Sequence, residues 1–140
     1  MSTFTDLARH SFGFLEGRGF GFHADNSNLP AYDEAYFESR RIRVRVYWEQ
    51  RDGVVVTYLG RRRALGLGVR ELGLSFLGDL DDAAGADGIH EQTDPRLGLE
   101  IGRQADLLRS RGEPLLRGER EAWDALSARQ RAYQSDLNRR

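Results

Sequence analysis

The 140-residue chain has no cysteine, which excludes disulfides, thiolate metal sites and cysteine nucleophiles. Lysine is absent too, so all 21 basic residues are arginine. That usage fits codon bias in a GC-rich genome, and it also fits selection for guanidinium forks that grip carboxylates or phosphates. No apolar run approaches the ~20 residues of a membrane span, and the N-terminus lacks the basic and apolar regions of a signal peptide. A soluble, cytoplasmic protein with no membrane partner is therefore expected.

Catalytic and metal motifs are equally scarce. G-x-S-x-G, P-loop and H-E-x-x-H patterns do not occur. His10, His23 and His90 lie in separate stretches, without the spacing of a zinc pair. Asp79-x-Asp81-Asp82 opens like a calcium loop but puts Ala83, Ala84 and His90 where an oxygen ligand, glycine and glutamate are needed. The segment GRGFGF lacks the third glycine of a phosphate-cradling loop. No metal, no organic cofactor and no catalytic residue is assigned. The 22 acidic residues offer too many carboxylate pairs to single one out, so a scattered enzyme site stays open as a third functional option.

What is present supports a core: 39% apolar residues, with seven Phe, five Tyr and two Trp. A chain of this length fits one domain, residues 1–140, burying roughly two thirds of its unfolded surface. The organising stretch runs from Arg40 to Gly60. Ile42, Val44, Val46 and Trp48 alternate with Arg43, Arg45, Tyr47 and Glu49, the period of a strand buried on one face. Asp52-Gly53 supplies turn chemistry before VVVTYLG returns. A two-residue turn puts Trp48 opposite Thr57 and turns Val55, Thr57 and Leu59 to the core. A three-residue turn instead buries Val54, Val56 and Tyr58, and the first register is preferred.

The flanking elements follow from periodicity. Phe4, Leu7, Ala8, Ser11, Phe14 and Leu15 predict a helix ended by Gly17 and Gly19. Phe12 falls off that stripe, so the helix is expected to be covered on more than one side. Short strands are predicted at Gly19–His23 and Glu34–Ser39. Val69, Leu72, Phe76 and Leu80 fit a helical stripe. Residues 80–93 read as a flexible acidic loop. Asp94-Pro95 marks a helix start, and Gly112 its end. A last helix from about Gly118 carries Trp123, Leu126, Gln130, Tyr133 and Leu137 at spacings of three or four. The expected fold is α+β: a four-stranded antiparallel meander, with one helix before the sheet and about three after.

Charge is laid out unevenly. Arg40, Arg41, Arg43, Arg45, Arg51, Arg61, Arg62 and Arg63 face only Glu49 and Asp52 in their segment, a balance of +6. From Asp79 to Asp94 the balance is −6. Either hairpin register gathers Arg41, Arg43, Arg61, Arg62 and Arg63 at one end of the sheet. Such crowding calls for counter-charges, from a partner or from the acidic loop folding back. These five arginines are the candidate binding site.

FGFLEGRGFGF, RIRVRVYWEQRDG and RSRGEPLLRGEREAW together resemble small uncharacterised bacterial proteins, some of them associated with toxin–immunity loci. The resemblance spans most of the chain and implies an inhibitor-like binding protein, with the long acidic loop after Asp79 as a departure. It transfers no functional residue. The expected function is a non-catalytic, immunity-type domain that binds an acidic protein partner through the arginines. The alternative is a nucleic-acid module using the same arginines on phosphates, with Tyr47 or Tyr58 stacking on bases. The overall charge of −1 and the −6 segment rank it second.

Overall fold

The computed structural model describes residues 3–25, 32–62, 69–78 and 88–139. Helix α1 (Thr3–Ser11) leads into a 3-10 segment (Gly13–Arg18), and five strands follow: β1 (Gly21–Asp25), β2 (Tyr32–Glu38), β3 (Ile42–Glu49), β4 (Val54–Arg62) and β5 (Val69–Gly73). A 3-10 turn (Leu74–Leu77), α2 (Pro95–Arg111), α3 (Glu113–Leu116) and α4 (Arg120–Asn138) complete the chain. The strands form one antiparallel sheet in sequence order, β1-β2-β3-β4-β5. The α+β meander is as expected, but it has five strands where four were predicted.

The fifth strand occupies the stretch whose apolar spacing predicts a helix. Val69, Leu72 and Phe76 do recur at helical spacing, but β4 runs long enough to offer a free backbone ladder at its far edge. β5 takes it, with Leu72 opposite Leu59. Phe76 falls in the following 3-10 turn, its ring 5.4 Å from that of Tyr133 in α4. The three α-helices after the sheet are therefore α2, the short α3 and α4. The predicted start of α2 is in place: Asp94 is its N-cap, its side chain accepting from the Arg96 N–H, with Pro95 at the first turn.

Alternation sorts the sheet into two faces. Phe22, Ala35, Phe37, Val44, Val46, Trp48, Val55, Leu59 and Leu72 point to the helices, which seal this side. Trp48 is fully buried, stacks on Phe4 at 5.9 Å and donates its indole N–H to the Ile89 carbonyl at 2.8 Å. The first helix ends earlier than its apolar stripe suggested. It tightens after Ser11, which lets Phe12 pack on Phe37 at 5.9 Å, fully buried. Gly19 then caps the 3-10 segment at φ +92°.

The hairpin closes with four residues, Gln50 to Gly53, and Trp48 pairs with Val55 where Thr57 was expected. That difference of two residues leaves every side chain on its predicted face, so Val55, Thr57 and Leu59 are buried as expected. The turn is set by what it touches. Gly53, at φ +72°, donates its N–H to the Glu49 carbonyl, and its own carbonyl accepts from Ile89 N at 2.9 Å. A Cβ on Gly53 would lie 2.7 Å from Ile89 N. Ile89 is thus fixed in the core, unlike the flexible loop expected over 80–93. Residues 80–87 of that predicted acidic loop, with Asp81 and Asp82, lie outside the described residues, as does Asp79 before them.

Candidate functional site

Register alone brings the candidate arginines together. Ile42 pairs with Arg61 and Arg43 with Gly60, and the Arg62 N–H donates to the Arg41 carbonyl at 2.7 Å. Arg41, Arg43, Arg61 and Arg62 therefore share one end of the sheet, as predicted. Arg63 lies outside the described residues. The four do not share one environment, because strand parity separates them.

Arg61 falls on the helix side, its guanidinium 5.6 Å from the centre of the Trp123 ring. Arg62 is on the open side, paired with Glu38 of β2. Arg43, also on the open side, lies 3.5 Å from the Glu71 carboxylate and over the Tyr36 ring at 5.4 Å. Its Nε is buried without a hydrogen-bond partner. Arg41 is exposed beside Arg40 in the short connection from β2 to β3, and neither forms an ion pair among the described residues. This turn is tight: the Ser39 N–H donates to the Ile42 carbonyl at 2.8 Å, which pushes both arginines outward.

Deeper on the open face is a network that sequence reasoning did not assemble. Arg45 of β3 donates from Nε and Nη2 to both oxygens of Glu71 at 3.0 Å, and from Nη1 to Glu34 at 2.7 Å. Its guanidinium lies 4.5 Å from the Tyr58 ring centre and 5.6 Å from that of Tyr47. Burial works against the Arg45 charge, but hydrogen bonds to Glu71 and Glu34 more than offset it and hold its pKa above the ordinary value. Tyr36 donates its hydroxyl to the second oxygen of Glu34. Burial, then that bond to Glu34, pushes the Tyr36 hydroxyl up to about 12. Tyr47 donates to Glu49 at 2.9 Å.

The parity signal for this network was available, since Arg45 shares the open face with Arg43, both alternating with the buried Val44 and Val46. Its partners were not legible. Glu71 sits on β5, where the apolar spacing predicts a helix, and Glu34 reaches Arg45 only through the register in which Tyr36 faces it across the β2–β3 pair. Among the described residues, neighbouring strands supply counter-charges to Arg43, Arg45 and Arg62.

Chemically, the open face is balanced toward acid. Glu34, Glu38, Glu49 and Glu71 face three arginines, Arg43, Arg45 and Arg62. The tyrosine rings named for base stacking are engaged, Tyr58 under Arg45 and Tyr47 toward Glu49. Such a surface opposes a polyanion, and among the described residues the positive charge at the turn between β2 and β3 has no ion-pair partner.

Among the described residues no cluster of three or more His, Asp or Glu is arranged to hold a metal ion. Nor does any described helix have the length and apolarity to cross a membrane. Comparisons of the chain with protein-family models, with curated proteins and with solved structures return no match.

Proposed function

We propose that this chain is a non-catalytic protein-binding domain, acting as an immunity-type inhibitor does, and that it engages an acidic protein partner through its arginine-rich corner. Arg41, with Arg40 beside it and Arg62 next to it, forms the contact surface, and Arg43, Arg61 and Arg63 belong to the same candidate set. One observation carries the reading. The strand arginines are matched by Glu34, Glu38 and Glu71, whereas Arg40 and Arg41 stand exposed beside Arg62 with no ion pair among the described residues. Unpaired guanidinium groups at one corner favour fast, electrostatically steered encounter with a carboxylate-rich surface.

The test is affinity capture from the native host, with and without nuclease, followed by association kinetics on the captured protein. The Arg41→Ser/Arg62→Ser double variant should keep its fold, associate more slowly and show a flatter salt dependence. Unchanged kinetics at low and at moderate salt would refute this assignment. Capture that disappears on nuclease treatment would favour the nucleic-acid alternative.

A further inference from the structure

Among the described residues the outer edge of β5 has no strand beside it, and one of its backbone N–H groups is engaged by a side-chain amide. The Gly73 N–H points away from β4 and donates to Oε1 of Gln130 in α4 at 2.9 Å. A side-chain amide oxygen thus stands where the carbonyl of a sixth strand would stand. Backbone groups alternate along an antiparallel strand, so Val69 and Glu71 direct their N–H and C=O groups to the same outer edge as Gly73.

Beside this edge is a cleft of about 300 Å³ between Leu72 and the outer half of α4, lined by Ser127, Gln130, Arg131, Gln134, Ser135 and Asn138. Apart from Leu72 and Arg131, every lining side chain is an amide or a hydroxyl, able both to donate and to accept. Helix α4 is exposed throughout 131–139, and Arg131 makes no ion pair among the described residues.

We infer that this cleft receives an extended, acidic peptide segment of the partner, which adds to β5 as a sixth strand. An extended chain has backbone groups on two edges. β5 satisfies one, and the amides and hydroxyls of α4 satisfy the other, which neither a docked helix nor an apolar loop would exploit. Binding exchanges hydrogen bonds without stranding any: a peptide carbonyl takes over the Gly73 N–H, and the released Gln130 amide bonds the peptide. Arg131 selects a carboxylate at the cleft. The start of β5 adjoins the arginine corner, since Val69 pairs with Arg62. A strand here would run from Arg131 toward that corner. The inference rests on the reading of the partner as acidic.

A phage-displayed library of random decapeptides selected on the immobilised full chain is the probe, followed by one enriched peptide made synthetically. Enrichment of acidic sequences is expected, with amide exchange at Val69 and Glu71 slowed on binding. Methylating alternate peptide amides should abolish binding, and Arg131→Glu should weaken it about tenfold. No enrichment, binding that tolerates N-methylation, or unchanged exchange at Val69 and Glu71 would overturn strand addition. The Arg41→Ser/Arg62→Ser variant separates the two proposals. Peptide binding that depends on those arginines but leaves β5 exchange untouched removes strand addition and keeps the corner. β5 protection that is indifferent to them does the reverse.

Discussion

The two faces of the sheet are held by different forces. The helix-covered face is apolar: Trp48, Phe37, Val44, Val46 and Leu59 are fully buried and packed against α1 and α2, with Gly98 of α2 admitting Leu7 of α1. The open face is a lattice of guanidinium, carboxylate and phenol groups that bury one another. Glu34, at 9% exposure, is nearly as sequestered as a core residue although none of the described helices packs on this face. Apolar packing is insensitive to salt and pH, whereas charged pairs depend on both, so the two faces should fail under different conditions.

The largest effect is expected on the covered face. Trp48→Ala empties a fully buried aromatic site and leaves the Ile89 carbonyl without its donor. It should cost about 3–5 kcal/mol, read from the denaturation midpoint at unchanged m-value, and it should be equal at low and high salt. A small cost would mean that the tryptophan is not the centre of the core.

On the open face, Arg45→Ala removes the shared partner of Glu34 and Glu71, whose side chains are 11% and 21% exposed. Its expected cost is about 1–3 kcal/mol, below the full penalty of a buried pair because solvent reaches both carboxylates. Unlike the Trp48 change, it should shrink at high salt, which screens charged pairs but not apolar packing. A salt-independent loss would show that Arg45 acts through packing on Tyr58.

A carboxylate on the apolar side sharpens the contrast. Asp33 is buried at the end of β2, and desolvation raises its pKa despite a 3.0 Å hydrogen bond from Gln50. A folded-state pKa above the unfolded one means that the fold favours the neutral acid. Its contribution is complete below the unfolded pKa and is lost as pH rises through the folded one. Asp33→Asn should therefore be more stable than the parent at neutral pH, with the gap closing as pH falls through the carboxylate range. Equal stability at neutral pH would show that the charged form is as well housed as the neutral one.

Exposed pairs should matter least. Arg120 and Asp124 are 3.8 Å apart, with side chains 88% and 66% exposed. Asp124→Ala is expected to shift stability by no more than about 0.5 kcal/mol, and Arg41→Ser by a similarly small amount, both by chemical denaturation.

Much of this was legible in one dimension. The alternation from Ile42 to Glu49 determined which side chains of β3 face the core, and Asp94-Pro95 determined where α2 begins, because both are local conformational preferences. Gathering Arg41 with Arg62 required only that two strands run antiparallel. The hairpin also shows why face and register differ in difficulty. Face depends on parity, which a shift of two residues preserves, so the buried set was right although the turn was longer. The turn itself is decided by Ile89, 36 positions beyond Gly53, whose N–H holds the Gly53 carbonyl. The same holds for β5: Val69 to Phe76 is locally ambiguous between strand and helix, and the unfilled edge of β4 resolves it. The partners of Arg43, Arg45 and Arg62 follow from strand pairing in the same way. Glu71 becomes their neighbour only once β5 is a strand, and Glu34 and Glu38 only once β2 is in register. Local pattern specified which residues must be buried or turned. Only tertiary structure decided which charges would meet, because an ion pair depends on contacts between distant segments that no local periodicity encodes.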